Sequence, residues 1–282
     1  MHIFNEKAPL IAHLANSKNR NATIGFVPTM GALHQGHLSL MQQSISENAI
    51  TVVSIFVNPT QFNNAEDLLK YPRTLEQDVQ KIALLNPDII IFAPTVTAIY
   101  DHEISSQEFD FDGLEHQMEG KFRPGHFDGV GTVVKKLFEI VTPTKAYFGE
   151  KDFQQLQIIK KMVAKNHLPV KVVGCAIYRE PSGLAMSSRN ERLTPTEREK
   201  AANIYQILLK AKEAFRTQSP QEVSQLVEHT LANHPDFELE YFQIAEEETL
   251  LPCLTKKETT KYRAFIALFI NKIRLIDTLS LN

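Results

Sequence analysis

The first half of the chain alternates short apolar, β-branched runs with longer amphipathic stretches. That alternation is typical of βαβ units, in which crossover helices join parallel strands. The near-continuous apolarity of the runs further indicates strands that are buried on both faces. The predicted strands are 23–28, 50–57, 88–92, 145–148 and 170–173, and the predicted helices are 36–48, 74–85, 131–141 and 152–166.

The pattern changes near residues 175–180. Beyond that point it predicts a charged helix over 195–215, a second helix over 221–232, and strands around 239–245 and 262–279. Strands and helices no longer alternate there, which is typical of an α+β arrangement. We therefore predict an α/β fold of two domains, a parallel-sheet domain over 1–176 and a smaller α+β lid domain over 177–282.

Composition limits the classes of protein that fit this pattern. With 43% hydrophobic and 22% charged residues, the 282-residue chain has an ordinary globular composition and can build a packed core. A formal net charge of −3 provides no extended basic field, so we expect no nucleic-acid partner. No stretch approaches the ~18 consecutive apolar residues of a membrane span, so we expect no membrane association.

Several common sequence signals are missing. Cys175 and Cys253 are too few for a disulfide framework, and the start MHIFNEK lacks the basic-then-apolar pattern of a secretion signal. We therefore expect a reducing, cytoplasmic location. Phe122 follows the one Gly-Lys pair, which excludes a Walker A loop, and Val134 stands where a dinucleotide fingerprint needs its third glycine.

The strongest candidate site is His34-Gln35-Gly36-His37, where a predicted strand gives way to a helix. Backbone N–H groups at a helix start lack intrahelical partners and the helix dipole adds positive charge, so phosphates are favoured there. Histidines three residues apart lie on one face of the first turn. As neutral donors they can stabilise negative charge that develops around phosphorus. The spacing lacks the Glu of His-Glu-x-x-His, which disfavours a zinc site.

Segments along nearly the whole chain resemble, in order, the pantothenate synthetase family of the HIGH-type nucleotidyltransferases. They are 28–37 (PTMGALHQGH), 56–62 (FVNPTQF), 119–130 (EGKFRPGHFDGV), 148–156 (FGEKDFQQL) and 186–190 (MSSRN). The resemblance implies a Rossmann-like nucleotide-binding domain. It also implies an ATP-dependent ligation of (R)-pantoate to β-alanine through a pantoyl adenylate, with release of AMP and pyrophosphate.

The resemblance assigns ATP contacts along three of these segments and just before the last. They are Met30, Gly31, His34, Gly36 and His37, then Gly149, Lys151 and Asp152, then Tyr178 through its backbone, and Met186, Ser187, Ser188 and Arg189. The implied catalytic residues are His34 and His37 at the α-phosphate and Lys151, Ser187, Ser188 and Arg189 at the triphosphate. Asp152 either takes a ribose hydroxyl or caps the following helix.

Uncharged amides are expected to bind the acid substrate. By the resemblance Gln61 and Gln155 contact pantoate, and an amide can donate to a carboxylate or accept from a hydroxyl. Asn58 is a further substrate candidate, with the capping of a loop as its alternative. Arg123 is expected to contact a substrate carboxylate or a partner subunit. It lies with His126 in the glycine-rich segment 119–130, which suits a gating loop.

Asp78 follows another family-like segment and has two interpretations. It is either a ligand, direct or through water, of Mg²⁺ near the triphosphate, or a solvated charge on a helix. We expect a complex of ATP with Mg²⁺ as the substrate and no tightly bound organic cofactor. By the resemblance alone we also expect a homodimer.

Two other functions fit part of the pattern. A nucleotidyltransferase with a phosphorylated or nucleotide acceptor would share the histidine pair, but it should show a second cationic pocket where this chain has two glutamines. A non-catalytic nucleotide sensor on the same fold would tolerate the loss of Ser187, Ser188 or Arg189. ATP–pyrophosphate exchange with pantoate and turnover with β-alanine separate these functions from the ligase.

Overall fold

The computed structural model describes residues 1–18, 21–62, 65–101 and 103–282. The chain divides into two compact units, one of Met1–Gly149 with Gln154–Cys175 and one of Glu150–Phe153 with Ala176–Asn282. None of the predicted site residues lies in the gaps between the described ranges. Each unit has its own sheet and its own buried core, and the two are described in turn.

The first unit is built on a six-stranded parallel sheet. Its strands are β1 (His2–Phe4), β2 (Ile24–Thr29), β3 (Ile50–Ile55), β4 (Ile90–Phe92), β5 (Lys145–Gly149) and β6 (Lys171–Cys175). Their order across the sheet is β1-β4-β3-β2-β5-β6. Phe26 and Val27 of β2 are fully buried, as are Val52 and Val53 of β3, because helices cover both faces of a parallel sheet. The predicted α/β fold class is confirmed.

Helices join these strands. In chain order they are α1 (Lys7–Lys18), α2 (Gln35–Glu47), α3 (Ala65–Lys70), α4 (Leu75–Leu85), α5 (Val96–Tyr100), α6 (Met118–Phe122), α7 (His126–Val141) and α8 (Phe153–Lys165), with short 3-10 helices at Pro59–Gln61, Leu114–His116 and Glu150–Asp152. The sequence pattern missed β1 and α1. The strand has only three residues, two of them exposed, and α1 buries only Leu10 and Leu14 among its described side chains, so neither carries a clear periodicity.

The direction of strand succession reverses at β2. From β2 the chain proceeds through β3 to β4 on one side, whereas β5 and β6 lie on the other side. The carboxyl ends of β2 and β5 are therefore neighbours. In open α/β sheets this reversal point is where ligands bind. Thr29 ends β2 and Gly149 ends β5, so two of the predicted ATP segments begin there.

The second unit combines helices with an antiparallel sheet. A 3-10 helix (Ser188–Arg192) leads into α9 (Pro195–Ala201), α10 (Asn203–Phe215), α11 (Pro220–Ala232), β7 (Phe237–Glu246), β8 (Tyr262–Ile270) and β9 (Ile273–Ser280). The sheet order is β7-β8-β9. α9 and α11 each begin with a capping box and a proline in the first turn, Thr194 with Glu197 and Ser219 with Glu222. The predicted α+β arrangement is confirmed.

Two predicted elements of this unit have different boundaries. The helix expected over 195–215 is divided at Ala202, although Ala202 itself keeps helical dihedral angles (φ −59°, ψ −25°). The apolar run 262–279 forms two strands, because the chain reverses at Asn271, which has a φ of 52°. Asparagine tolerates that left-handed conformation better than most residues.

The expectation of a glycine-rich gating loop over 119–130 is wrong. Most of this segment is helical, since α6 ends at Phe122 and α7 begins at His126. Gly129 serves close packing. A Cβ at this position would lie 2.4 Å from the carbonyl oxygen of Thr60, so only glycine lets α7 approach the 3-10 helix at Pro59–Gln61.

Gly129→Ala should lower the free energy of unfolding by about 1–3 kcal/mol. The added Cβ would push α7 away from a backbone carbonyl, and this strain exceeds the ~1 kcal/mol that alanine normally gains over glycine in a helix. Urea unfolding followed by far-UV circular dichroism measures the difference. Gly149→Ala is the control, because its Cβ would meet nothing within 4 Å. Equal stability of the two variants would contradict the packing argument.

Candidate active site

The helix start after β2 carries the paired histidines. His34 is the N-cap of α2 and has an extended backbone (φ −135°, ψ 176°). The predicted passage from strand to helix is confirmed. The His34 and His37 rings lie with their centroids 4.0 Å apart, and both residues are partly buried. Two imidazoles therefore stand at the N-terminus of α2, where the positive end of the helix dipole favours an anion.

The hydrogen bonding of His37 defines which ring nitrogen carries its proton. Its Nδ1 accepts the backbone N–H of His34 at 3.3 Å. A ring nitrogen that accepts holds no proton, so neutral His37 is protonated on Nε2. The positive end of the helix dipole disfavours the doubly protonated ring. His37 thus presents a neutral N–H donor from Nε2, which is the form that the sequence analysis expects.

Asp78 of α4 holds the turn that joins β2 to α2. Its carboxylate accepts the backbone N–H of Ala32 at 2.9 Å and of Leu33 at 2.8 Å, and the hydroxyl of Thr74 at 3.1 Å. The turn passes through Gly31 (φ 84°) and Ala32 (φ 49°). A positive φ is unfavourable for alanine, so these two bonds stabilise a strained turn.

The interpretation of Asp78 as a solvated helix charge is wrong, because the residue is 0% exposed. Each carboxylate oxygen already accepts from a backbone N–H group, so we assign Asp78 to the positioning of the turn. A contact with Mg²⁺ stays a prediction that this geometry does not favour. Among the described residues, no group of three or more His, Cys, Asp or Glu side chains is placed to hold a metal ion.

Gln61 lies in the 3-10 helix after β3, and its backbone is held by two side chains. Its carbonyl oxygen lies 2.8 Å from His126 Nδ1 and 3.4 Å from Arg123. Because a carbonyl only accepts, His126 carries its proton on Nδ1, and its Nε2 accepts from Arg123 at 3.2 Å. The structure therefore brings Arg123 and His126 together at Gln61, where they fix the position of its main chain.

Asn58 is the N-cap of the same 3-10 helix. It is 1% exposed, and its side-chain oxygen accepts the backbone N–H of Thr60 at 3.4 Å. Its amide nitrogen donates to Gln61 Oε1 at 3.1 Å. The alternative of loop capping is what the structure shows for Asn58. A direct contact with substrate stays a prediction.

Two adjacent glutamines in the first turn of α8 have different surroundings. Gln155 is partly buried. Gln154 is 4% exposed and donates to the carbonyl oxygens of Leu114 and Gln117, both at 2.8 Å, and accepts the N–H of Glu119 at 2.9 Å. Sequence reasoning missed this anchoring role of Gln154, because two identical neighbours give no signal of which one faces the protein.

The predicted triphosphate residues lie in the second unit. Lys151, Ser187 and Arg189 line one small cavity, together with Asn190 and Asp277. The Lys151 side chain is 14% exposed. Ser187 caps the 3-10 helix that begins at the next residue, since its hydroxyl oxygen accepts the N–H of Arg189 at 3.3 Å. The hydroxyl hydrogen of Ser187 remains available to donate to an anion.

The stretch before Met186 is held by a buried ion pair. Arg179 donates to the Asp277 carboxylate at 2.7 and 3.0 Å and stacks 3.8 Å from the ring centre of Tyr205. Burial raises the pKa of Asp277, and Arg179 partly offsets that effect. The backbone N–H of Met186 donates to the carbonyl of Tyr178 at 3.0 Å. Tyr178 and Met186, both predicted ATP residues, are therefore brought together.

Glu180 anchors the other end of the same segment. It accepts from Asn190 at 2.7 Å and from Arg198 at 2.9 and 3.0 Å. Burial opposes its ionisation, but the hydrogen bonds from Arg198 and Asn190 outweigh burial and hold the pKa of Glu180 below its usual range. The segment 186–190 is thus held at Met186 by a backbone bond and at Asn190 by Glu180, and sequence reasoning missed the ion pairs of Arg179 and Glu180 that support these contacts.

Lys151 and Asp152 belong to a short segment with its own anchor. Arg263 of β8 donates to Glu150 at 3.2 Å and lies 3.9 Å from the ring centre of Phe153. This explains why Glu150–Phe153 group with the second unit. The Asp152 side chain is 53% exposed. Its predicted contact with a ribose hydroxyl and its alternative of helix capping both remain predictions.

The fold and the paired histidines define a class of protein. A parallel sheet with a reversal point between β2 and β5, and a helix N-terminus directly after β2, is the arrangement of α/β nucleotide-binding proteins. In the part of the chain that the structure describes, no helix has the length and apolar character needed to span a membrane.

The chain belongs to the pantoate-beta-alanine ligase family, whose sequence model matches residues 2–280. It is similar to the pantothenate synthetase of Flavobacterium psychrophilum, with 63% identity over 281 residues and complete coverage of both chains. The pantothenate synthetase of Christiangramia forsetii is 53% identical over 282 residues, again with complete coverage. The resemblance found in the motifs is confirmed, and the protein is a ligase.

Solved structures agree with this assignment. The crystal structure of pantothenate synthetase from Thermus thermophilus has a TM-score of 0.90 and 40% identity, and the match covers 100% of this chain and 99% of that one. The pantoate-beta-alanine ligase from Francisella tularensis, complexed with beta-gamma ATP and beta-alanine, has a TM-score of 0.78 and 38% identity, with 100% and 98% coverage. The fold over the whole chain is therefore that of this family.

Asp78→Asn should lower the free energy of unfolding by about 2–3 kcal/mol, because an amide can accept only one of the two backbone N–H bonds and turns its NH₂ group toward the other donor. It should also slow ATP–pyrophosphate exchange, since the turn sets the start of α2. Urea unfolding and exchange of labelled pyrophosphate measure the two effects.

Thr74→Val is the matched control for this variant. It removes one donor from the same carboxylate and leaves both backbone bonds, so it should be the milder change. A weaker apparent affinity for Mg²⁺ in Asp78→Asn, at unchanged stability, would show a metal ligand instead and refute the positioning role.

Proposed function

We propose that this protein joins (R)-pantoate to β-alanine in two successive steps, both catalysed by residues of this chain. In the first step a pantoate carboxylate oxygen attacks the α-phosphorus of ATP, the bond to the β-phosphate oxygen breaks, and pyrophosphate leaves. In the second step the neutral amine of β-alanine attacks the acyl carbon of pantoyl adenylate, the acyl C–O bond to the phosphate breaks, AMP leaves and the nitrogen releases a proton. The observation that carries this proposal is the histidine pair at the helix start after β2, in a chain that matches the ligase family over residues 2–280.

His34 and His37 stabilise the first transition state. Attack on the α-phosphorus increases negative charge on its non-bridging oxygens, and donors already in place can stabilise that charge without reorganising. The Nε2–H of His37 is such a donor, since Nδ1 is occupied by the N–H of His34. The nucleotide lies against the same turn and helix start, which contain Met30, Gly31 and Gly36. Gly149, at the end of β5, is assigned to ATP as well.

Residues of the second unit bind the outer phosphates. Lys151 supplies a compact positive charge, Ser187 and Ser188 supply hydroxyl donors, and Arg189 supplies a planar guanidinium. The cavity that Lys151, Ser187 and Arg189 line together supports the assignment of these three residues, whereas Ser188 is assigned by the family resemblance. The backbone of Tyr178 contacts the adenine ring. Met186 also contacts ATP, and Asp152 contacts the ribose. The lid role of this unit, and a domain boundary at 176/177, remain predictions.

Neutral side chains bind pantoate. Gln61 and Gln155 position its carboxylate and hydroxyl groups without the full positive charge that would make the carboxylate a weaker nucleophile. Arg123 donates to the main-chain carbonyl oxygen of Gln61 and keeps its two candidate roles, a contact with a substrate carboxylate that is not the nucleophile or with a partner subunit. The protein then needs no nucleophile of its own, because alignment and electrostatic stabilisation supply the rate enhancement.

The same proposal extends to the metal ion and the cellular setting. Mg²⁺ typically binds substrate phosphates with only a few protein ligands, so we assign it to the incoming ATP complex. We propose a cytoplasmic location, supported by two buried free cysteines, and a homodimer, supported by the family resemblance alone.

His37→Ala should fold normally and slow pyrophosphate release in the first half-reaction by about 10²–10³-fold, because it removes one preset donor. Pantoate-dependent ATP–pyrophosphate exchange measures this rate. His37→Gln should recover part of it, since a glutamine amide is also a neutral donor.

The exposed His229 supplies the matched control. His229→Ala should exchange pyrophosphate at the wild-type rate, because this side chain lies on α11 in the second unit. Undiminished exchange in His37→Ala would remove His37 from the mechanism. A wild-type protein that exchanges pyrophosphate with a nucleotide or phosphorylated acceptor, but not with pantoate, would refute the proposed function.

A further inference from the structure

The side chains behind Gln61 form hydrogen bonds with a fixed direction. Asn58 lies between two backbone groups of known polarity. Its Nδ2 is 3.1 Å from the carbonyl oxygen of Gly129, which can only accept, and its Oδ1 is 3.4 Å from the N–H of Thr60, which can only donate. These two contacts leave one orientation for the Asn58 amide.

Tyr100 of α5 reinforces that orientation. Its hydroxyl donates to Asn58 Oδ1 at 2.6 Å, and the residue is 4% exposed. Burial raises the pKa of Tyr100, although its hydrogen bonds with Thr60 and Asn58 act in the opposite direction. The phenol therefore keeps the proton that this bond requires throughout the neutral range. The motifs gave no reason to single out Tyr100.

The orientation of Asn58 determines that of Gln61. Asn58 Nδ2 donates to Gln61 Oε1 at 3.1 Å, so the opposite end of the Gln61 amide points elsewhere. That end, Nε2, lies 3.0 Å from the sulfur of Met30, which directly follows β2 at the carboxyl edge of the sheet. Gln61 therefore turns its side-chain NH₂ group toward this edge, and its side-chain oxygen, Oε1, accepts the hydrogen bond from Asn58.

We propose that Asn58, held by Tyr100, fixes the Gln61 amide as a donor and thereby selects the carboxylate of pantoate. This inference rests on the proposed function and decides between the donor and acceptor roles that the sequence leaves open. A carboxylate only accepts and carries charge, so its bond to the Gln61 NH₂ group is stronger than that of a neutral oxygen. Asn58 and Tyr100 are positioning residues.

The test compares pantoate with its primary amide, in which NH₂ replaces one carboxylate oxygen. Isothermal titration calorimetry on the full chain gives both affinities. Asn58→Asp replaces the Nδ2 donor by an acceptor, so Gln61 turns its NH₂ group inward and its oxygen outward. Pantoate affinity should fall at least ~10-fold, and so should the ratio of pantoate to amide affinity. Tyr100→Phe should lower the ratio in the same direction by about 2–10-fold.

Two further variants separate orientation from other effects. Asn58→Leu removes the donor without adding charge, so it should also lower the ratio of pantoate to amide affinity. If Asn58→Asp acted only because its new carboxylate repels pantoate, Asn58→Leu would keep the wild-type ratio. Tyr147→Phe is the matched control for Tyr100→Phe. Tyr147 is also buried in the same unit, but its hydroxyl contacts Asn48 and Glu47. It should keep both affinities.

The outcomes distinguish this inference from the function on which it rests. A wild-type protein that forms no pantoyl adenylate refutes the proposed function itself. An active wild-type protein, with Asn58→Leu and Tyr100→Phe both at the wild-type ratio, overturns the orientation by Asn58 alone. If Asn58→Leu fails to fold, the Tyr100→Phe ratio decides, because loss of one hydroxyl leaves the packing nearly unchanged.

Discussion

The bonds that the Asp78 carboxylate accepts from Ala32 and Leu33 hold the turn on which the candidate active site depends. That turn passes through two residues with positive φ, and such a conformation costs about 1–2 kcal/mol at a residue with a side chain. Hydrogen bonds to a charged group contribute about 1.5–3 kcal/mol each, so the two bonds exceed this cost. The two bonds therefore determine the direction in which α2 leaves β2, and with it the positions of His34 and His37.

In the first unit the Asp78 carboxyl group acts on the backbone of the turn between β2 and α2, whereas the side chains assigned to phosphorus and to pantoate are neutral donors. Asp78 is fully buried and acts on the backbone, whereas His37 offers a neutral N–H and Gln61 a neutral amide. The arrangement suits a reaction in which a carboxylate must remain reactive. A full cation against that carboxylate would stabilise the ground state as well as the transition state, and catalysis needs only the difference.

The sequence predicted the elements whose residues are close neighbours in the chain. β2 and the start of α2 were found because an apolar run meets four characteristic residues, His34 to His37. The bonds from Asp78 to the backbone of Ala32 and Leu33 could not be found in this way, since these two residues lie more than forty residues away in the chain. Gly129 suggested a loop because composition cannot distinguish a glycine needed for flexibility from one needed for close packing.

Sequence patterns were equally uninformative about the Ser187–Arg189 region. There, ion pairs between residues distant in the chain determine how much conformational entropy is lost on binding. Arg179 with Asp277, and Glu180 with Arg198 and Asn190, order the backbone on both sides of the two serines before any phosphate arrives. A pre-ordered donor loses less conformational entropy on binding than a flexible one. Arg189 is exposed and must still order a long side chain, which costs up to about 2 kcal/mol. In the proposed phosphate site the serines are therefore the rigid part, and Arg189 is the adjustable part.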